Sequence, residues 1–119
     1  MIFISAPYSH KDKNIEAKRY ELICRYAAFL FANNKTSISP VMMGYPCLEF
    51  KKMPGDFQFW KDYSFELLSK CDTLHVLELA GWNESIGVAQ EIIYADNNEI
   101  PVKYIEYNNI AGHDKYQEH

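Results

Sequence analysis

An apolar run, Thr73-Leu74-His75-Val76-Leu77-Glu78-Leu79, passes through a short loop, Gly81-Trp82-Asn83-Glu84, into a helical pattern that extends from Ser85 to Asn97. The run reads as a buried strand and Ser85 is a favoured helix-cap residue type. In an α/β sheet this junction falls at the carboxyl end of a strand, where ligands bind. It gathers a hydroxyl (Ser85), the backbone N–H groups of a helix start and a carboxylate (Glu91) around a small space. Such a group of residues can hold an anion at one end of a ligand and attack the other.

The remainder of the chain fits the same scheme. Ile2-Phe3-Ile4-Ser5-Ala6 is a β-rich run stopped by Pro7, and a helical pattern follows from about Lys11 to Asn33. Its apolar side carries Ile15, Leu22, Ile23, Tyr26, Ala27, Leu30 and Phe31, and the charges Lys13, Glu16, Lys18, Glu21 and Arg25 occupy the rest. Thr36 to Ser39 reads as a second strand. Val41 to Asp56, with two glycines and two prolines, reads as a long irregular loop, the kind that is functional or mobile in a compact domain. Asp56 is placed to cap a helix running to about Lys70, and Pro101 to Ile105 reads as the last strand. Strands alternating with helices predict a parallel sheet with right-handed crossovers. The expected fold is α/β, a three-layer sandwich around a small parallel sheet, flavodoxin-like or Rossmann-like. Residues 1–107 form the domain and 108–119 a polar C-terminal tail.

A chain of 119 residues has room for one core. Its net charge of −4 argues against a polymeric nucleic acid as partner, since that needs a basic face, but leaves room for a small phosphorylated ligand at a helix N-terminus. Cys24, Cys47 and Cys71 are widely spaced and match neither a disulfide framework nor a zinc motif, which fits reduced thiols in a cytoplasmic protein. Met1 leads straight into a strand pattern, so neither a signal peptide nor a membrane span is expected.

Among candidate chemical groups, Glu91 lies six residues after Ser85, within the first two turns of its helix. A carboxylate there can act as nucleophile or base; the competing reading is a solvated charge that complements the helix dipole. Ser85 is either a cap alone or a cap that also grips a phosphate or a ribose hydroxyl. Gly87 would let a ligand approach the backbone closely, and Trp82 stands in the same loop. Tyr8 and Ser9 lie just beyond the first strand, on the rim of the sheet where ligands bind, with His10 beside them. Asp62, on the helix before the third strand, is the acid best placed to reach that side, against the alternative of a solvent-facing position. Asp72 and His75 read as structural. Missing glycine-rich phosphate loops and a missing nucleophile elbow disfavour dinucleotide, P-loop and Ser–His–Asp chemistry.

Three features carry a family resemblance: Ile2-Phe3-Ile4-Ser5-Ala6-Pro7-Tyr8, Cys71-Asp72 before an apolar strand, and above all Ser85-x-Gly87-Val88-x-x-Glu91, which looks like an SxGxxxE motif. By these residues the chain resembles the nucleoside 2-deoxyribosyltransferase superfamily, and within it the 2′-deoxynucleoside 5′-monophosphate N-hydrolase branch. The resemblance implies that Glu91 acts at C1′ of a deoxyribose with release of the base, and that Ser85 grips the 5′-phosphate. It also implies an acid on the helix before the third strand, for which Asp62 is the nearest match. The first loop, Ala6-Pro7-Tyr8-Ser9, has no arginine where the branch's hydrolases usually carry one. Tyr8, Tyr45, Phe57 and Trp60 are candidates for contacting the base. No metal or cofactor is called for, and a homodimer or larger homo-oligomer is implied by the resemblance alone. Base exchange between deoxynucleosides, or ligand binding without turnover on the same fold, stand as alternative functions.

Overall fold

The computed structural model of the protein describes residues 1–106; the polar segment 108–119 lies outside the described residues. Strand β1 (Ile2–Ser5) leads through a loop to helix α1 (Lys13–Ala32), then to a two-residue strand β2 (Ser37–Ile38). A short helix α2 (Pro40–Gly44) and a 3-10 turn (Pro46–Glu49) follow, then α3 (Phe57–Leu68), β3 (Thr73–Glu78), a second 3-10 turn (Trp82–Glu84), α4 (Ile86–Asn97) and β4 (Val102–Glu106).

Each helix begins where a short polar side chain can satisfy its first free N–H groups. Asp12 accepts from the Asn14 N–H at 2.9 Å, Asp56 from that of Phe59 at 3.0 Å and Ser85 from that of Val88 at 3.2 Å. Ser39 accepts from Val41 and Met42, with Pro40 in the first turn where its missing N–H costs nothing. That cap explains why the region expected to be an irregular loop opens with one helical turn. The exits are equally local. Asn34 and Glu99 take left-handed backbone, at φ 60° and 57°, just past α1 and α4. The N–H of the following residue then returns to the helix: Lys35 to the Leu30 carbonyl and Ile100 to that of Ala95, both at 2.9 Å.

The sheet is entirely parallel, in the order β2-β1-β3-β4. Side chains alternate across it, so each strand feeds two cores. Ile4 and Leu77 meet Leu22, Ile23, Tyr26, Ala27 and Leu30 of α1 on one face. Phe3, Leu74 and Val76 meet Leu68 of α3 and Val88 and Ala95 of α4 on the other. This is the expected three-layer α/β sandwich. Fully buried side chains of this size each contribute about 1.5–3 kcal/mol relative to an exposed position. His75 belongs to the α1 face, as expected of a core histidine. Its Nδ1 lies 2.7 Å from the Tyr26 hydroxyl, and burial, then Lys103 and Lys35, push its pKa down. Asp72 pairs with the Met1 amino group at the opposite end of the sheet from the strands' carboxyl termini. Among the described residues no helix is long and apolar enough to cross a membrane.

The strand order locates the site. From β1 the chain first moves to one side, to β2, and then crosses back to the other, to β3. Neighbouring strands β1 and β3 therefore send their outgoing loops in opposite directions, which opens a crevice beyond their carboxyl ends.

Candidate functional site

A cavity of about 530 Å³ fills that crevice, within the usual size range for a small-molecule site. Its walls come from the loop after β1 (Ala6 to His10), from α2 and the segment after it, from the start of α3, and from Gly81 to Glu91 around the start of α4.

Glu91 reaches it from α4. Val88, Glu91 and Ala95 are the buried residues of that helix, spaced three and four apart so that they share one face. Val88 and Ala95 pack into the core, and Glu91 falls where this face passes the end of β1. There Ser5 donates its hydroxyl hydrogen bond to Glu91 Oε1 at 2.6 Å; the residues are 1 % and 6 % exposed. Burial pushes the Glu91 carboxyl up to about 8, and the Ser5 hydrogen bond pulls in the other direction. An acid group with its proton affinity displaced this far, in the wall of a cavity, is where chemistry is expected.

Ser85 caps α4 and also lines the cavity. Its oxygen accepts from the Val88 N–H, which leaves the hydroxyl's own proton to donate. Gly87 lines the cavity and also makes a close contact between helices. A methyl group on its Cα would come 3.1 Å from Phe57 Cδ1, so its bare backbone accommodates the Phe57 ring where α4 meets α3.

Two loops are clamped by Arg19, which projects from the second turn of α1. Nη1 donates to the carbonyls of Tyr8 and Ser9 at 3.2 and 3.1 Å, and Nη2 to that of Ala80 at 3.0 Å. Gly81, at φ +88°, completes the turn, and a side chain there would meet Arg19 Nη2 at 3.0 Å. Glu16, expected among the solvated charges of α1, is buried instead. It accepts from the His10 N–H at 3.0 Å and from Lys13 Nζ at 3.1 Å, holding the same loop from below. Burial, then the nearby Glu16, raise the Tyr8 phenol to about 12, so it stays a neutral hydrogen-bonding group. Tyr45 stacks on Tyr20 with ring centroids 4.2 Å apart and meets Tyr8 edge-on at 6.0 Å. The Ser9 hydroxyl donates to the Gly55 carbonyl and Trp60 Nε1 to that of Pro54, at 2.8 Å, fastening the segment after α2 over the cavity.

Of the residues singled out in the sequence, Tyr8, Ser9, Ser85, Gly87 and Glu91 all meet at this cavity, as do His10, Tyr45, Phe57 and Trp60. Asp62 does not. Trp60 and Ser64, four apart on α3, face the cavity, and a residue midway between them points about 200° of helix turn from each. Asp62 is accordingly exposed to solvent. Trp82 does not line the cavity either. It packs against the core under α4 and tilts against Tyr104, with centroids 5.7 Å apart.

The sequence reading missed Ser5, Arg19 and Ser64. Ser5 has a recognisable signal, a lone hydroxyl ending an apolar strand. Arg19 has none, since a charged residue every few positions is ordinary on a helix of this kind. Among the described residues no cluster of three or more His, Cys, Asp or Glu is arranged to hold a metal ion.

The chain belongs to the family described as a domain of unknown function, DUF1937, whose model matches residues 1–107. No curated protein matches it at a significant level.

Proposed function

We propose that the protein is an N-glycosidase that cleaves the base–sugar bond of a 2′-deoxynucleoside 5′-monophosphate, with Glu91 as the catalytic carboxylate. The observation that carries this reading is the position of Glu91. It is a buried carboxyl in the wall of a ligand-sized cavity, on a helix whose Ser85-capped start faces the same space. The likeness of Ser85-x-Gly87-Val88-x-x-Glu91 to the SxGxxxE motif of the deoxyribosyltransferase superfamily supports it from the sequence side.

The chemistry suits the residues present. Breaking the C1′–N bond leaves its electron pair on the base nitrogen, which takes a proton from solvent, and places positive charge on C1′ and the ring oxygen. A carboxylate beside C1′ stabilises that charge and forms a bond to C1′. Water then displaces the glutamate, its oxygen remaining on the sugar and one proton passing to solvent. Catalysis in this scheme needs ionised Glu91, so kcat/KM should rise with pH and level off above about 8. The hydroxyl of Ser85 and the α4 N-terminus would hold the phosphate. Tyr8, Tyr45, Phe57 and Trp60 would face the base.

The test is a chromatographic screen against deoxynucleoside and ribonucleoside monophosphates, with and without an added acceptor base, using the parent protein and Glu91→Gln. Free base released by the parent and not by the variant is the expected result. A new nucleoside monophosphate formed only with acceptor would make base exchange the activity. Absence of both products would overturn the reading in favour of binding without turnover.

A further inference from the structure

Glu91 presents two oxygens, and one of them is already engaged inside the protein. Ser5 is the last residue of β1 and is held in register opposite Val76 of β3, so its backbone position is set by the centre of the sheet. Its side chain lies on the same face as Phe3, toward α4, and a serine side chain has only three staggered positions to choose from. The hydroxyl therefore stands ready at 2.6 Å from Oε1 before any ligand arrives.

We infer that Ser5 is a positioning residue for Glu91: its hydroxyl holds Oε1, assigns Oε2 to the substrate, and replaces the hydration that the carboxylate loses on burial. This rests on the reading of Glu91 as the catalytic carboxylate, but it makes a claim about Ser5 that can be measured without any substrate.

A buried carboxylate gains most from a donor that is already oriented, because reorganisation is then avoided at the moment charge forms. Ser5 is the side chain hydrogen-bonded to Glu91 among the described residues, and the Ser64 hydroxyl of α3 lines the same cavity without that bond. β3 offers apolar Leu74 and Val76, and α3 offers Ser64, Phe65 and Leu68 near the interface. The ionisable groups around the cavity are Tyr8 and His10 after β1, Arg19 on α1, Tyr45 after α2, Asp56 at the cap of α3 and Glu84 before α4. Arg19 spends three donors on backbone carbonyls, and Asp56 accepts from the first turn of α3. Burial and the Ser5 bond are what set the ionisation of Glu91.

The experiment is a carbon-13 titration of the Glu91 side-chain carboxyl, assigned with Glu91→Gln, in the parent, Ser5→Ala and Ser5→Cys. A hydrogen bond to a charged group lost from a buried site corresponds to a rise of about one to two pH units in the midpoint. We expect that rise in Ser5→Ala and a smaller one in Ser5→Cys, whose thiol is a weaker donor. Should Ser5→Ala fail to fold, the cysteine variant decides on the same criterion. On any substrate the parent turns over, kcat should fall about ten- to a hundredfold near neutral pH in Ser5→Ala, with KM little changed, and recover in part at higher pH. A Glu91 midpoint that stays where it is in a folded variant overturns the role given to Ser5. A parent without turnover overturns the glycosidase reading and leaves the titration to judge Ser5 alone.

Discussion

Arg19 Nη2 donates to the carbonyl of Ala80 at 3.0 Å, joining a residue on the first helix to the loop after the third strand, 61 positions away. With the two bonds to Tyr8 and Ser9, one guanidinium fixes both rims of the crevice relative to each other. A planar group with several diverging donors can do this, and a lysine cannot.

Replacing Arg19 with Lys or Met should therefore loosen the two loops more than the core. Amide exchange measured at Gly81 and Trp82 should speed up by about tenfold, the equivalent of one ordinary hydrogen bond, while amides in β1 and β3 stay as protected as in the parent. Uniform loss of protection across the sheet would mean that Arg19 supports the whole fold rather than the crevice.

Gly87→Ala tests the contact between α4 and α3. Alanine gains up to about 1 kcal/mol of helix propensity, but its methyl group would stand 3.1 Å from Phe57 Cδ1 and must displace that ring. We expect a net loss of about 1 kcal/mol in denaturant unfolding, relieved when Phe57→Leu is added. Stabilisation by Gly87→Ala alone would show that the ring moves freely, and that the glycine is there for a ligand instead.

Glu91 should make the protein less stable in alkali. Its folded-state pKa, about 8, lies above the usual 4.5, so the native state binds the proton more tightly than the unfolded state. The stability due to the protonated group is complete below about pH 4.5 and is lost progressively as pH rises through 8, an effect on the order of a few kcal/mol. Glu91→Gln keeps the neutral form at every pH. Its melting temperature should exceed that of the parent at pH 9, and the gap should close toward pH 5. Parallel curves across that range would rule out a displaced Glu91 ionisation.

Glu99 occupies left-handed backbone at φ 57° where α4 ends, a conformation that suits glycine better than a side chain with a β-carbon. Glu99→Gly should raise stability by about 0.5–1 kcal/mol, read from the denaturant midpoint at constant slope. A lower midpoint would mean that the entropy glycine restores to the unfolded chain outweighs the relief of strain.

Much of this protein was legible in its sequence because the governing forces there are local. The apolar runs at Ile2 and Thr73, the caps Asp56 and Ser85 and the turn at Asn33-Asn34 announce strands and helices through hydrogen bonding and periodicity within a few residues. Their alternation dictates a parallel sheet, and the sheet places Tyr8, Ser9, Ser85 and Glu91 on one rim. The short helix at Pro40 was obscured by a proline and glycine content that reads equally well as loop. Tertiary packing decided the rest. Helix phase turned Asp62 to solvent, and packing against the core drew Trp82 away from the cavity. Register between β1 and β3 set Ser5 beneath Glu91, and one long side chain on α1 became the clamp of the crevice. None of these relations is periodic in sequence, because each depends on where two separately folded segments meet in space.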